Sequence, residues 1–210
     1  MTAIDLATNP QIDPRDRILG VAYAIFPQRG IRAVEIEELI AASGVPEATF
    51  YRHFPSKESL VLAYLERREQ VWTLGFVVAG TQRRGTSPES ELLAVFDVLD
   101  EWFQREDFEA CSFVKVMMEM GPTHPLGRAA IQHIDNIRAH VCERAEQAGL
   151  REPDAFARSL MILIKGAILS ATEGDGAAAD RAQGMARDLI EHHRPSRSPV
   201  RASSPGVPPA

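Results

Sequence analysis

Cysteine is scarce in this chain: two residues, Cys111 and Cys142, among 210. Two cysteines cannot build a disulfide framework, and free thiols suit a reducing, cytoplasmic setting. No run of eighteen apolar residues occurs, so no membrane-spanning helix is expected. The first residues, MTAIDLATNPQID, lack the basic start and apolar core of a secretory signal. Strand-like alternation is sparse, and no Asn-Gly or Asp-Gly separates two strand-like runs. No Cys/His set has structural zinc spacing, and the glycine-rich phosphate-cradling motifs are missing. Neither a metal nor a cofactor is therefore expected.

Positive charge is also in deficit. Lys and Arg number 23 against 29 Asp and Glu, a net charge of −6. Such a chain is a poor general binder of polyanions, so contact with nucleic acid would need a locally placed patch. Residues 13–57 are the least acidic folded stretch, with six basic and six acidic side chains; residues 83–110 carry −5. The last sixteen residues hold five prolines and four serines. That composition cannot bury a core, and a disordered basic tail is expected over 194–210.

What is present is apolar spacing of helical period, with 45% hydrophobic residues to build a core. Asp13-Pro14-Arg15-Asp16 reads as a helix start: Asp13 caps, Pro14 takes the first position, and Asp16 faces the positive end. Ile18, Ala22, Ile25 and Phe26 give that helix one apolar stripe. Pro27 is expected to end or bend it, with Gly30 following. Two short helices, 35–42 and 46–53, flank Gly44. Pro55 stops the second, and Ser56 caps a longer helix bearing Val61, Leu65, Trp72 and Phe76. Further helices are expected over 88–105, 109–120, 125–147, 153–172 and 177–192.

Two short helices around a glycine turn have helix-turn-helix proportions. A short second helix can enter a major groove about 12 Å wide while the first lies across it. Phe50 and Phe54 face the core. The outward residues are Glu47, Ala48, Thr49, Tyr51, Arg52 and His53. Small Ala48 and Thr49 permit close approach. Thr49, Tyr51 and His53 can donate to phosphate oxygens, and Arg52 can reach guanine O6 and N7. Lys57 stands at the first turn of the next helix, where its ammonium and free backbone N–H groups can share a phosphate.

Residues 30–60 resemble the DNA-binding domain of the tetracycline-repressor (TetR) family. Ala42-Ser43-Gly44-Val45, Thr49-Phe50-Tyr51-Arg52-His53-Phe54 and Ser56-Lys57-Glu58-Ser59-Leu60 carry the match. The resemblance implies an all-α protein: an N-terminal three-helix helix-turn-helix domain (13–57), then a six-helix ligand-binding and dimerisation domain (58–193). It implies a homodimer that reads palindromic double-stranded DNA and leaves it when a small-molecule effector binds. Thr49, Tyr51, His53 and Lys57 would contact phosphate; Pro46, Glu47, Ala48 and Arg52 would face bases. The chain departs from the family pattern at Pro27, at Val34 and Glu35 (usually Thr or Ser), at Ile40 (usually small) and at Pro46 (often Ser).

Trp72, Phe76, Phe96, Trp102, Phe103, Phe113, Met117 and Met120 form a large apolar set. It suits either a core or an adaptable pocket. In a pocket, Lys115, His133 or Cys111 would be the polar element, and a neutral or cationic lipophilic ligand fits better than a polyanion. Helix 153–172 is apolar around most of its circumference, through Phe156, Leu160, Leu163, Ile164, Ala167 and Ile168. With Ala182, Met185 and Leu189 of the small-residue-rich last helix, these residues are the expected dimer interface. A cysteine hydrolase using Cys111 with His124 or His133 lacks any nucleophile elbow or oxyanion hole. A helical adaptor that keeps the fold without sensing a ligand is the alternative to a repressor.

Overall fold

The start of the first helix obeys its local signals. In the computed structural model, which describes residues 12–195, α1 runs Pro14–Arg29 and the Asp13 carboxylate accepts from Arg15 N at 2.9 Å. Pro27 does not end it. The proline sits in the last turn, where it removes one intrahelical donor with only two helical residues left beyond it, and the helix closes at Gly30 (φ +83°), whose N–H reaches Phe26 O. Helix α2 spans Ile36–Ser43 and α3 spans Glu47–His53. Gly44 joins them in the left-handed conformation (φ +60°), which a glycine adopts without strain.

Ser56 opens the fourth helix with a reciprocal cap. Its hydroxyl accepts from Ser59 N at 3.1 Å, and Ser59 Oγ accepts from Ser56 N at 3.2 Å. This rod, α4, covers residues 57–84 in three pieces: α-helical Lys57–Arg68, π-helical Glu69–Val78 and α-helical Ala79–Arg84. The π segment has no signature in apolar periodicity. Helix α5 (Pro88–Phe103) repeats the Ser-x-x-Ser cap at Ser87, and α6 is Ser112–Met120. Then come α7 (Pro125–Gln147), α8 (Pro153–Thr172) and α9 (Ala178–His193). Counting the rod once, the described residues form nine helices and no strand.

Two hydrophobic cores hold these helices. The first joins α1–α4 to α6 and α7: Ile18, Phe26, Leu39, Phe50, Leu60 and Tyr64 pack with Phe113, Val116 and Leu126. Burial pushes the Tyr64 phenol up to about 12, so it stays neutral. The second core joins the end of α4 to α5, α7, α8 and α9 through Val77, Leu92, Phe96, Trp102, Phe156 and Leu160. Cys111, Ile134 and Ile137 touch both cores.

By length and composition alone, α8 is long and apolar enough to cross a membrane. The apolar run escapes a strict count because Arg158 and Lys165 interrupt it. Phe156, Ala157, Leu160, Met161, Ile164, Ala167 and Ile168 are nevertheless buried in this fold, so α8 is a core helix with further apolar residues on its outer side.

Candidate nucleic-acid interface and ligand cavity

Helix α3 is only seven residues long and has no side-chain cap. Pro46 occupies the cap position and the helix starts at Glu47; Pro46 O accepts from Thr49 N and Phe50 N at 2.8 and 3.0 Å. What fixes α3 is tertiary packing. Phe50 is fully buried, Phe54 and Val45 nearly so, and the Arg15 guanidinium lies 5.5 Å above the Phe54 ring. Arg17 Nη2 donates to Ser43 O at 2.6 Å, tying α1 to the turn.

This anchoring leaves Glu47, Ala48, Tyr51 and Arg52 exposed along one helix face. Pro46 is exposed beside them; Thr49, His53 and Lys57 are half-buried at its edges. All eight residues singled out from the sequence therefore reach the surface around α3 and the start of α4. Lys57 is the first residue of α4, next to the free N–H groups of a helix start. Glu35 caps α2 with backbone only, Val34 is buried beneath it, and Glu38 is paired with Arg29.

The reading head is held from below by α6. The Glu119 carboxylate accepts from Ile31 N at 2.9 Å and Arg32 N at 2.6 Å. Lys115 Nζ donates to Pro27 O at 2.8 Å, satisfying a carbonyl of the last α1 turn. Rod α4 is held from the side: Arg67 pairs with Asp16 at 3.0 Å and Arg68 with Glu109 at 3.1 Å, and both guanidiniums lie over Tyr23. Nothing in the sequence marked Glu119 or Lys115 as partners of α1, because each contact spans 87 or 88 residues.

Between α4, α5, α7 and α8 lies a cavity of about 230 Å³. Trp72, of the eight aromatic and methionine residues expected at a pocket, stands on its wall. Phe96, Trp102 and Phe113 are buried in the two cores, and Phe76, Phe103, Met117 and Met120 pack against them. The wall is chiefly aliphatic: Val77, Leu92, Val95, Leu99, Leu160 and Ile164 line it. Cys111 lines it too. Lys115 is committed to Pro27, while His133 stacks on Phe113 and pairs with Glu69 at 3.0 Å. Burial pushes the Cys111 thiol up, so it stays protonated near neutrality.

The residues expected at a dimer interface divide. Phe156, Leu160, Ile164, Ala167, Ile168 and Ala182 are buried within the protomer, because these helices first cover their own core. Leu163 and Leu189 are half-buried, and Met185 is exposed. Beside them Ile162 and Leu169 are 70% and 61% exposed, an outward apolar patch that the sequence reading passed over.

An all-helical chain with an exposed second helix braced this way is a helix-turn-helix protein. Residues 18–64 match the sequence profile of the bacterial regulatory proteins, tetR family. A TetR-family transcriptional regulator from Streptomyces coelicolor superposes with a TM-score of 0.77 at 27% identity, over 86% of this chain and 95% of the other. The reduced form of Escherichia coli NemR shares the fold (TM-score 0.74, 23% identity, 85% of this chain and 97% of the other). In sequence, an HTH-type transcriptional regulator of Mycobacterium tuberculosis is 35% identical over 96 residues, which is 42% of this chain and 48% of that protein. The chain thus spans about half the length of the curated relatives it matches. On these findings residues 18–64 carry the tetR-family pattern, and the described fold is similar to that of solved TetR-family regulators.

Proposed function

We propose that this protein is a dimeric, ligand-responsive transcriptional repressor that reads a palindromic DNA operator. The carrying observation is the exposed face Glu47, Ala48, Tyr51 and Arg52 on a helix pinned by buried Phe50, beside Lys57 at the capped start of α4. Arg52 supplies a donor fork for guanine. Lys57, Tyr51, Thr49 and His53 supply phosphate contacts that set register. Pro46 and Ala48 present no bulk against the base edges.

Coupling follows the shared helices. Cys111 and Val114 line the cavity at one end of α6, while Lys115 and Glu119 farther along hold α1. The cavity wall at Trp72 and Thr73 lies on the same rod that begins at Lys57. A ligand that fits one arrangement of α4 and α6 better than another shifts DNA affinity by that difference, typically about 1–3 kcal/mol.

Fluorescence anisotropy on DNA from the protein's own promoter region, at two salt concentrations, tests the reading. Wild type is expected to bind with a negative salt slope. Lys57→Ala is expected to weaken binding on all sequences and flatten that slope by about one unit. Tyr51→Ala is expected to weaken binding as well. A folded wild-type dimer without specific binding would count against operator recognition on that DNA.

Dimerisation is assigned to the outward patch of α8 and α9, where Ile162, Leu169 and Met185 stand exposed. Sedimentation of Ile162→Glu/Leu169→Glu at micromolar concentration is expected to give a folded monomer with weakened operator binding, since two half-sites about 34–36 Å apart need two heads. A dimer that persists in this variant would move the interface elsewhere.

A further inference from the structure

Thr73 is 1% exposed, and its hydroxyl has no hydrogen-bond partner among the described residues. Ser112, at the start of α6, is the other buried helical serine or threonine hydroxyl without one among the described residues. Ser43, Thr81, Ser159 and Thr172 each donate to a carbonyl three or four residues back in their own helix. Thr73 lies in the π-helical segment Glu69–Val78. There the usual intrahelical carbonyl partner is not taken. The neighbouring residue repeats the pattern. Trp72 Nε1 is buried and likewise unpartnered among the described residues. Both residues line the cavity.

Two orphaned donors in residues of one chiefly aliphatic wall are costly unless something accepts from them. A buried donor left unsatisfied carries the full desolvation penalty of its group. The charges around the cavity do not serve as acceptors for them. Arg144 pairs with Glu91 at 3.5 Å and with Glu143 at 3.9 Å. With Lys165 also on the wall, the two carboxylates meet two cations, leaving no net charge to favour an ionic ligand.

We infer that the cavity ligand is a neutral, mostly apolar molecule whose carbonyl-type oxygen accepts hydrogen bonds from Trp72 Nε1–H and Thr73 Oγ1–H. The inference rests on the reading of the cavity as the effector site and narrows the chemistry of its occupant. A carbonyl oxygen offers two lone pairs; a hydrocarbon offers none, and an ammonium group brings more donors to a wall that already has them. The π segment thereby becomes the recognition element, and it lies in the rod that starts at Lys57.

The test uses three molecules of one skeleton: menthone, a saturated ketone; p-menthane, the matching hydrocarbon; and menthylamine, protonated at pH 7. Trp72 and Trp102, with ring centroids 4.8 Å apart, report binding by their fluorescence in the full-length protein. Menthone is expected to bind wild type about tenfold more tightly than p-menthane, with menthylamine the weakest. In Thr73→Val/Trp72→Phe, still reported by Trp102, the ketone preference is expected to fall to near one. Thr73→Ser, which keeps the hydroxyl, is expected to retain it. Equal binding of ketone and hydrocarbon by wild type, or a preference that survives in the double variant, overturns the hydrogen-bond assignment and leaves the cavity reading standing. Tightest binding of menthylamine overturns the neutral class. Binding of none of the three overturns the cavity reading together with the inference.

Discussion

Phe50→Ala is expected to cost about 3–5 kcal/mol of stability and to abolish operator binding. Phe50 is fully buried and packs edge-on against Tyr51 and at a tilt to Phe54. Helix α3 has seven residues and no side-chain cap, far below the length at which an isolated helix persists. Its position therefore depends on this one ring more than on any helical propensity. At fixed protomer concentration the melting temperature is expected to fall by about 10 °C. Phe50→Leu, which keeps most of the volume, is expected to lose less than about 1.5 kcal/mol. If Phe50→Ala unfolded at the wild-type temperature, the account of α3 as a tertiary-held helix would be wrong.

Gly127→Ala is the second large effect. A Cβ on Gly127 would stand 1.8 Å from Gly121 O and 2.8 Å from Gly121 C. Both are backbone atoms, so no side chain can swing away. The turn between α6 and α7 must open, and α6 carries Lys115 and Glu119. The expected loss is about 3 kcal/mol or more, beyond the usual range for overpacking. Urea unfolding at matched concentration measures it. Operator affinity measured below the transition is expected to fall too, because the brace under α1 shifts. Wild-type stability in Gly127→Ala would show that the turn is free to relax.

Much of this architecture was legible because its punctuation is local. Asp13 before Pro14, Gly44 between two short helices, Ser56 before an apolar run and Pro153 at a helix start all act within a few residues of themselves. The exposed face of α3 was legible for the same reason: once Phe50 is core, Tyr51 and Arg52 have nowhere to point but outward. Pro27 misled because a proline in a last turn costs one hydrogen bond and need not end the helix. The π segment escaped because apolar spacing carries no mark of a widened turn.

The cavity was the hardest part to read. Aromatic residues such as Phe96, Trp102 and Phe113 are large enough to fill space, so they close the cores and leave no hollow. The hollow lies where aliphatic side chains of four helices fall short of one another, which no single helix records. The outward apolar patch escaped for a related reason. Apolar residues cover α8 nearly all round, and spacing cannot say that Leu160 faces inward while Ile162 and Leu169 face out.

The carboxylate of Glu119 sets a rule for chimeras. A head grafted onto another regulator's body by cutting between residues 56 and 57 would carry the N–H groups of Ile31 and Arg32 away from their acceptor, and Pro27 O away from Lys115. It would also strip Phe113, Val116 and Leu126 from the core that holds Phe50. The transplantable unit is discontinuous: residues 13–65 together with 111–130, joined by whatever sensing helices the recipient supplies.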